Sequence, residues 1–497
     1  MEETFVVIRK ANLFYYLLLL VLSLLFLILK HIRSPNNLPP GPFPWPIVGN
    51  ILNMGNRPHI SVAQLAKVHG PLMSLRLGTQ LVVVGSSPAA ATEILKTHDR
   101  ILSGRCVPHA TPASPNDVHL SMSWSDCTDQ WRLLRTLCRT ELFSAKVIES
   151  QANVRDKKVV ELVEFLATKE GKMVQIVEVV FATIFNMLSN LFVSRDFIKL
   201  DEKREDGGVK GLIKGLVELG FTPNLADLYD IFSGFDLQGL NKKSKEMFLK
   251  ICGVWEVIVK ERREGKSNDT SRQRDYLDAL LDSGLTNGHI NYMFLELFLA
   301  GTDTSTSTIE WAMAELIKNP EAMKKVKIEL EREINGNVVT ESDLPQLPYL
   351  HSVVKETLRL HPPAPFLVPH CALETCKVMN YTIPKDTQIF VNVWAIGRDP
   401  NIWDDPLTFK PERFVESSMD LNSNNFRFIP FGSGRKICPG LPMAAKQVPL
   451  VLACLIKCFD WSLPHDITPS KLNMDEKFGI TVQKEKPLVL IPKVKKS

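Results

Sequence analysis

The residues that most clearly suggest chemistry form a glycine-rich loop near the C-terminus. The loop reads Phe431-Gly432-Ser433-Gly434-Arg435-Lys436-Ile437-Cys438-Pro439-Gly440, and an apolar helical pattern follows it. Glycine permits positive φ and close backbone approach, while the unpaired N–H groups at the start of a helix stabilise a thiolate. A thiolate at Cys438 could attack as a nucleophile or bind a metal ion. A single loop cysteine is by itself more often structural, so this motif alone leaves the three alternatives open.

Two upstream motifs could supply a buried ion-paired group. Glu356-Thr357-Leu358-Arg359 places a carboxylate and a guanidinium three residues apart, which is one face of a helix. Pro411-Glu412-Arg413-Phe414 contributes a second arginine that can complete the group. A Glu-x-x-Arg string alone usually indicates a surface ion pair, so its meaning depends on the other motifs.

A third motif lies in a helical pattern that ends before Pro320. Ala300-Gly301-Thr302-Asp303-Thr304-Ser305 clusters hydroxyl side chains around a glycine. Serine, threonine and glycine are poor helix formers, and the hydroxyls can bond back to carbonyl groups and bend a helix. We therefore expect a local opening there. The alternative is a hydroxyl-rich capping patch.

The composition excludes several classes of protein. The chain has 497 residues, of which 45% are hydrophobic and 23% are charged, as is typical of globular proteins rather than disordered chains or many-spanning transporters. The net charge of +4 is too balanced to make nucleic acid a default partner. The nine cysteines include no Cys-x-x-Cys pair, which disfavours a disulfide framework or a structural zinc site and favours a reducing compartment.

The N-terminus predicts one membrane-spanning helix within residues 1–33. The apolar stretch from Ala11 to Leu29 would be about 28 Å long as a helix, close to the ~30 Å hydrocarbon core of a bilayer. A cleaved signal peptide and a buried core helix are the alternatives. Basic residues rather than a cleavage site follow the stretch, which favours the anchor. Residues 34–50 contain five prolines between Leu38 and Pro46 and predict a stiff spacer, with a proline-rich peptide ligand as the alternative.

Residues 51–497 predict one large, mainly helical body with a minor β region. Helical spacing covers residues 127–168, 177–194, 238–264, 289–318 and 320–334. Two apolar runs, 81–85 and 388–393, predict strands.

Taken in order, these motifs resemble those of the cytochrome P450 family of heme-thiolate enzymes, from the proline spacer to the C-terminus. The resemblance implies the cytochrome P450 fold, with Cys438 as the axial ligand of the iron of heme b. It implies that Glu356, Arg359 and Arg413 support the cysteine loop, and that Asp303 and Thr304 relay protons to bound O2. The other heme-contacting residues that it implies are Trp131, Arg135, Ala300, Gly301, His370, Phe431, Lys436 and Gly440.

Two positions depart from the family pattern. Lys436 stands where arginine is usual, so the charge is kept but the bidentate fork for a heme propionate is lost. Pro369-His370-Cys371 stands where relatives commonly have Pro-Arg-Arg. A second propionate contact would then depend on His370, whose charge would vary with pH.

The resemblance also implies partners. Thiolate ligation favours O–O cleavage, which consumes protons and electrons. Because the sequence shows no dinucleotide-binding fingerprint and no flavin domain, we expect the electrons to come from NADPH-cytochrome P450 reductase. We expect an acidic flavoprotein to dock on a basic patch of Arg132, Arg135, Arg139, Arg435 and Lys436. The free cysteines predict a catalytic domain on the cytosolic side of the endoplasmic reticulum membrane, held by a single span.

Strings such as Leu95 to Leu102 and Glu476 to Glu485 resemble plant microsomal members that act on alkaloids. That subgroup includes hydroxylation, phenol coupling and skeletal rearrangement. The Pro-His-Cys departure favours the tropane alkaloid littorine as substrate, with a benzylisoquinoline 3'-hydroxylase or a phenol-coupling enzyme as the alternatives. Two alternatives come from other functional classes. A reductase-independent heme-thiolate isomerase is disfavoured because such relatives lack the threonine that Thr304 supplies here. A non-catalytic anchored heme protein is disfavoured because it would not need all the motifs.

Overall fold

The computed structural model describes residues 15–16, 37–112, 117–201, 208–264, 274–422, 425–465 and 467–495. The predicted membrane anchor, residues 1–33, lies outside this set except for Tyr15 and Tyr16. The statements below concern the described residues.

The body is mainly helical, as the sequence predicts. Its α-helices are α1 (Ile51–Met54), α2 (Pro58–His69), α3 (Pro88–Thr92), α4 (Asp129–Glu141), α5 (Ala145–Ser150), α6 (Ala152–Ala167), α7 (Ile176–Val193), α8 (Val209–Phe221), α9 (Leu225–Leu228), α10 (Leu240–Arg263), α11 (Tyr276–Asp282), α12 (Asn287–Lys318), α13 (Pro320–Glu333), α14 (Pro348–Leu360), α15 (Val393–Ile396) and α16 (Leu441–Cys458). The predicted helical window 127–168 contains three separate helices, α4 to α6.

The strands are short. They are β1 (Leu72–Leu77), β2 (Gln80–Gly85), β3 (Val174–Gln175), β4 (His370–Cys371), β5 (Cys376–Val378), β6 (Tyr381–Ile383), β7 (Gln388–Val391), β8 (Phe459–Ser462), β9 (Glu476–Lys477), β10 (Gln483–Lys484) and β11 (Val489–Val494). The largest sheet has the order β1-β2-β7-β4, and β2 and β7 run parallel. The strand predicted at 388–393 ends at Val391, because the Asn392 side chain accepts a hydrogen bond from Ala395 N and caps α15.

The long helix α12 forms the centre of the body, and aromatic side chains pack it against α7. Phe298 stacks on Phe185 with ring centroids 4.5 Å apart and meets Phe192 edge-on at 4.8 Å. Gly301 permits this approach, since a Cβ atom there would lie 2.8 Å from Leu188 Cδ1. The helices α7 and α16 are long and apolar enough to cross a membrane, but both are largely buried in the body. We therefore interpret them as core helices.

The described part of the proline segment packs on the body. The Pro39 and Pro40 carbonyls accept hydrogen bonds from Ser74 Oγ at 2.7 Å and Ser74 N at 2.9 Å. Because β1 is an edge strand, its free backbone groups are available to this extended chain. The described part of this segment is thus attached to the rim of the sheet, and its role as a spacer between membrane and body stays a prediction.

A buried ion-paired group fixes the chain that leads to the cysteine loop. Arg359 Nε and Nη2 on α14 each donate to Glu356 at 2.7 Å, and Arg413 Nε reaches the same carboxylate at 3.3 Å. Arg359 also donates to the Gly397, Pro406 and Thr408 carbonyls. The structure thus brings together the three residues of the two sequence motifs. Their hydrogen bonds join α14 to an otherwise irregular segment.

We expect Glu356→Gln to lower the free energy of unfolding by about 3–5 kcal/mol, because it leaves two buried guanidinium groups without a counter-charge. The matched control is Glu412→Gln, which removes a half-exposed carboxylate that pairs with Lys325 at 2.6 Å and should cost no more than about 1 kcal/mol. Urea unfolding of both variants measures the difference. Equal losses would show that the buried group does not stabilise the fold.

Candidate active site

The Cys438 sulfur faces an internal cavity from the loop that precedes α16. Cys438 N donates to Phe431 O at 3.0 Å, and Gly432 and Gly434 both have a φ of 72°. A side chain at Gly434 would place its Cβ 2.3 Å from Leu95 O, so glycine is required there. The loop therefore holds the cysteine in one position, with its thiol on the cavity wall.

Opposing effects act on the Cys438 thiol. Burial raises its pKa, while the Gly440 and Leu441 N–H groups at the start of α16 and the positive charge of Arg135 lower it. The burial effect is the larger in the protein alone. A cationic metal at the sulfur would reverse this balance and deprotonate the thiol.

The walls of the cavity are mostly apolar. The lining side chains include Leu95, Met122, Phe143, Leu188, Phe192, Leu297, Val354, Leu358, Pro363, Ala364, Leu367, Phe431, Met443 and Val448. Ala300, Gly301 and Thr304 of α12 line the same cavity as Cys438 and Gly440. The structure thus brings together residues that are more than 130 positions apart in the sequence.

The hydroxyl cluster on α12 does not break the helix. Thr304 Oγ1 donates to Ala300 O at 2.6 Å, and Thr308 Oγ1 donates to Thr304 O at 2.8 Å, so the hydroxyls bond back to carbonyl groups as expected. The backbone nonetheless remains helical from Asn287 to Lys318. The predicted opening is therefore absent from this helix.

Asp303 does not lie beside Thr304 on the cavity wall. Its carboxyl group is buried, with about 5% of the residue exposed, and it is not among the lining residues. Thr304 lines the cavity, whereas Asp303, one residue earlier on the helix, does not. Burial raises the pKa of Asp303 to about 6, although the charge of Lys214 opposes the shift. The predicted role of the two residues in proton relay therefore remains a prediction, with Thr304 at the cavity and Asp303 behind it.

Three cations gather on one side of the cavity. Arg105, Arg135 and Lys436 all line it, and the Trp131 ring lies between two of them, 4.6 Å from Lys436 Nζ and 5.9 Å from Arg135 Cζ. Burial lowers the pKa of Lys436 to about 8 and that of Arg105 to about 10. Within the described residues, none of the three forms an ion pair. This side of the cavity is therefore suited to bind carboxylate groups of a ligand.

Sequence reasoning did not identify Arg105 as a residue that could contact the heme, because it belongs to no motif. Arg105 Nη1 donates to the Val368 and Pro369 carbonyls at 2.7 and 2.8 Å, which holds the side chain toward the cavity. Its Nε is buried and has no partner in the described structure.

Two of the residues predicted to contact the heme, Trp131 and His370, each form a hydrogen bond to a backbone carbonyl. Trp131 Nε1 donates to Met122 O at 3.0 Å. His370 Nδ1 donates to Leu102 O at 2.7 Å, and burial, together with the charge of Arg105, lowers the pKa of His370 to about 3. The ring is therefore neutral around pH 7 in the protein alone and presents only a lone pair on Nε2 to the cavity.

The predicted basic docking patch is also smaller than expected. Arg135 and Lys436 line the cavity, where Arg135 donates to Ile437 O and Lys436 Nζ donates to Ser125 O at 2.6 Å. Arg132, Arg139 and Arg435 remain exposed, and Arg435 lies 3.2 Å from Asp99. Only these three can contribute to a surface patch.

Glu296 is an acidic residue that lines the cavity and that the sequence motifs did not reveal. It lies one turn before Ala300, and its carboxylate accepts hydrogen bonds from Ser121 Oγ and from Met122 N and Ser123 N at 3.0 and 3.1 Å. The residue is partly accessible although it lies deep in the protein, because it faces the cavity. Burial raises the pKa of this carboxyl, and its hydrogen bonds oppose the shift. The one signal in the sequence was that Glu296 lies four residues before Ala300, and therefore on the same face of the helix.

Comparison with known proteins agrees with this geometry. The sequence profile of the cytochrome P450 family matches residues 39–491. The chain belongs to the cytochrome P450 family. The predicted resemblance and the predicted monooxygenase class are confirmed.

Cytochromes P450 bind heme iron through a cysteine thiolate, and the residues present here fit that cofactor. The Cys438 thiol opens onto the cavity, and the cations Arg105, Arg135 and Lys436 lie on one side of it, available for the two propionate groups.

The similar proteins come from plants. The chain is 52% identical to a probable (S)-N-methylcoclaurine 3'-hydroxylase of Coptis japonica over 96% of this chain and 97% of the relative. It is 49% identical to the corresponding isozyme 1 of Papaver somniferum, over 96% and 98%. It is 46% identical to corytuberine synthase of Coptis japonica, over 92% and 94%. These relatives do not support littorine as the substrate, and the Pro-His-Cys string was too short a basis for that expectation.

The raised pKa of Asp303 has a testable consequence for stability. Because the folded pKa of about 6 exceeds the ordinary aspartate pKa of 3.8, the stability due to the bound proton is fully present below about pH 4 and is lost as the pH rises through 6. Between pH 5 and pH 8 the Asp303 carboxyl should lower the free energy of unfolding by about 1–2 kcal/mol. We expect this part of the decrease to be absent from Asp303→Asn. Asp404→Asn, at an exposed position, is the control and should keep the wild-type pH dependence. An unchanged profile in Asp303→Asn would mean that its carboxyl is not desolvated.

Proposed function

We propose that this protein hydroxylates a benzylisoquinoline alkaloid of the N-methylcoclaurine type, using O2 and electrons from NADPH-cytochrome P450 reductase. Two of the relatives named above carry that activity in their names, and the chain aligns with them over nearly its whole length. The structural observation that carries the proposal is a largely apolar cavity with the Glu296 carboxylate in its wall.

Cys438 would hold the iron of heme, and the three cations would hold its propionates. The bound heme supplies O2 activation, which no side chain of the protein can provide. Gly440 N and Leu441 N, which donate toward the sulfur, would stabilise the thiolate and adjust its electron donation. The ion-paired group at Glu356 would act indirectly, by fixing the segment that precedes the loop.

The α12 wall would position O2 and protons. Ala300 and Gly301 are small enough to leave space beside the Cys438 side of the cavity, and the Thr304 hydroxyl, which donates to Ala300 O, can accept a hydrogen bond there. Asp303, whose pKa is about 6, can exchange a proton at neutral pH but lies behind this wall. We therefore assign it a role in supplying protons through the helix surroundings rather than by contact with the substrate.

Glu296 would bind the substrate nitrogen. An aliphatic amine is cationic at neutral pH, and the ion pair would replace the solvation that burial takes from the Glu296 carboxylate. The hydrogen bonds on that carboxylate come from neutral donors, so its negative charge is not yet balanced. Glu296 and Thr304 are eight residues apart on one helical face, which is about 12 Å along the axis. A substrate held by its nitrogen at Glu296 would thus extend its benzyl ring toward the Cys438 side of the cavity.

The environment of the enzyme is also part of the proposal. The apolar segment in residues 1–33 would anchor the chain in the endoplasmic reticulum membrane with the body in the cytosol, and the exposed Arg132, Arg139 and Arg435 would contribute to reductase binding.

Turnover of the full-length protein with reductase and NADPH tests the proposal. With (S)-N-methylcoclaurine we expect one oxygen atom from O2 at the 3' carbon of the product, identified by mass spectrometry and NMR. A carbon–carbon coupled product without added oxygen would instead indicate a phenol-coupling enzyme, as the similarity to corytuberine synthase allows. Conversion without NADPH would indicate an isomerase.

We expect Glu296→Gln to weaken the binding of a cationic benzylisoquinoline about 10- to 100-fold, because a charged hydrogen bond is lost. The control is a ligand of the same shape whose nitrogen is acylated and therefore neutral, and its affinity should change little. Spectral titration of both ligands measures the ratio. If both affinities fall equally, Glu296 only supports the loop at Ser121 to Ser123.

A further inference from the structure

A buried cluster of charged and aromatic side chains lies behind one wall of the cavity. Its centre is the carboxylate of Glu476 on β9, a buried residue that is not among those lining the cavity. The His361 ring connects Glu476 to Glu315 of α12, with Nδ1 3.3 Å from the first carboxylate and Nε2 2.8 Å from the second. The Trp311 ring of α12 stacks on the His361 ring, with centroids 3.9 Å apart. His361 is thus held at both ring nitrogens and on one face.

Three more donors bind the Glu476 carboxylate. His59 Nε2 on α2 lies 2.7 Å from it, Trp394 Nε1 on α15 donates at 3.1 Å, and Arg398 Nη2 donates at 3.4 Å. Burial raises the pKa of Glu476, but the hydrogen bonds from the two histidines and the charge of Arg398 lower it well below its usual range. Glu476 is therefore ionised at neutral pH and can hold all of these donors.

Residues 363–368, which we call the wall segment, form the adjacent wall of the cavity. Four of these six residues line the cavity. His361 lies two positions before the segment, at the end of α14, and is followed by Pro362 and Pro363. Because the two proline rings fix φ, the linking backbone can absorb little movement. A shift of His361 is therefore passed on to the wall segment.

Two further hydrogen bonds join the wall segment to neighbours of Glu476. Trp394 N donates to Pro365 O at 3.4 Å, and the indole N–H of the same residue binds Glu476. Val482 N donates to Pro363 O at 2.8 Å, and Val482 immediately precedes β10, which pairs with β9 at Glu476. With the connection through the end of α14, three separate sets of contacts link the wall segment to Glu476.

We propose that Glu476 and His361 are positioning residues that fix the wall segment and thereby determine the size of the ligand group that fits against it. Neither side chain lines the cavity, so both act through the wall. The contact of His361 with Glu315 also ties the wall segment to α12, the helix that carries Thr304. The proposal concerns the cavity of the proposed function but does not depend on which alkaloid is the substrate.

His59 is a matched control for His361. Both rings are buried and both contact the Glu476 carboxylate, so replacing either ring by glutamine disturbs one contact of the same group. His361 also contacts Glu315 and leads into the wall segment. His59 lies on α2 and has no hydrogen bond to the wall segment in the described part of the chain.

The test uses the full-length heme-loaded protein and two ligands that bind heme iron through a nitrogen atom. Imidazole is small, whereas 4-phenylimidazole adds a ring that must pack against the cavity walls. Spectral titration gives the ratio of their dissociation constants in wild type, His361→Gln and His59→Gln. Because only His361→Gln releases the wall segment, we expect 4-phenylimidazole to lose about 5- to 10-fold in affinity relative to imidazole in that variant, and less than about 2-fold in His59→Gln.

A second pair of variants decides the question if His361→Gln does not retain heme. Trp394→Phe removes the indole N–H that binds Glu476, and Trp403→Phe removes a buried indole N–H that donates to Ile396 O at 3.1 Å. We expect the affinity ratio to shift in the same direction in Trp394→Phe and to stay at the wild-type value in Trp403→Phe.

Loss of stability alone would lower heme content without changing the affinity ratio of the heme-loaded fraction. An unchanged ratio in His361→Gln or Trp394→Phe protein that keeps its heme spectrum would overturn the proposal, as would equal shifts in His361→Gln and His59→Gln. Both ligands bind without turnover, so these outcomes are independent of whether the enzyme hydroxylates N-methylcoclaurine.

Discussion

The burial of the Cys438 sulfur opposes the negative charge that iron ligation requires, and much of the surrounding structure counteracts this effect. Gly440 N and Leu441 N at the start of α16 and the guanidinium of Arg135 all lower the pKa that burial raises. These groups act on the sulfur only if the loop keeps one conformation. The positive φ angles of Gly432 and Gly434 and the close contact of Gly434 with Leu95 O provide that constraint.

The same requirement accounts for the ion-paired group on α14. The segment between α15 and the cysteine loop contains little regular structure, so it cannot hold its position by backbone pairing alone. Instead, Arg359 donates to three carbonyl groups of this segment. Glu356 accepts hydrogen bonds from Lys410 N and Arg413 Nε of the same segment. Such a buried network adds specificity even where its net contribution to stability is small, and losing one member leaves an unbalanced charge.

The cavity contains charges of both signs, which we propose serve two tasks. Arg105, Arg135 and Lys436 would bind the cofactor carboxylates, and Glu296 would provide a negative charge for the substrate nitrogen. Thr304 lies on the same helix as Glu296, so α12 can set the distance between the substrate nitrogen and the reacting carbon. In this account, a single helix determines both where oxygen is activated and which part of the substrate it meets.

Sequence motifs predicted the helical body and the Cys438 loop, because glycine, proline and ion-pair spacing are local signals. They also predicted that Arg359 and Arg413 would meet at Glu356, because helical spacing places Glu356 and Arg359 on one face and the second motif supplies another arginine. They did not reveal Arg105 or Glu296, whose positions depend on how a loop and a helix face are placed around the cavity. Nor did they show that Asp303 lies behind the wall that carries Thr304, or that Trp131 and His370 each hydrogen-bond to a backbone carbonyl, because these details depend on how the elements pack.

The central claim is that Cys438 supplies a thiolate to heme iron, and the reduced carbon monoxide difference spectrum of Cys438→Ser tests it most directly. Cys127→Ser, which changes a half-buried cysteine outside the cavity lining, is the control. The account predicts that wild type and Cys127→Ser show the strongly red-shifted Soret band of thiolate ligation and that Cys438→Ser lacks it, because an alcohol is a far poorer donor at neutral pH. A full red-shifted band in Cys438→Ser would contradict the account.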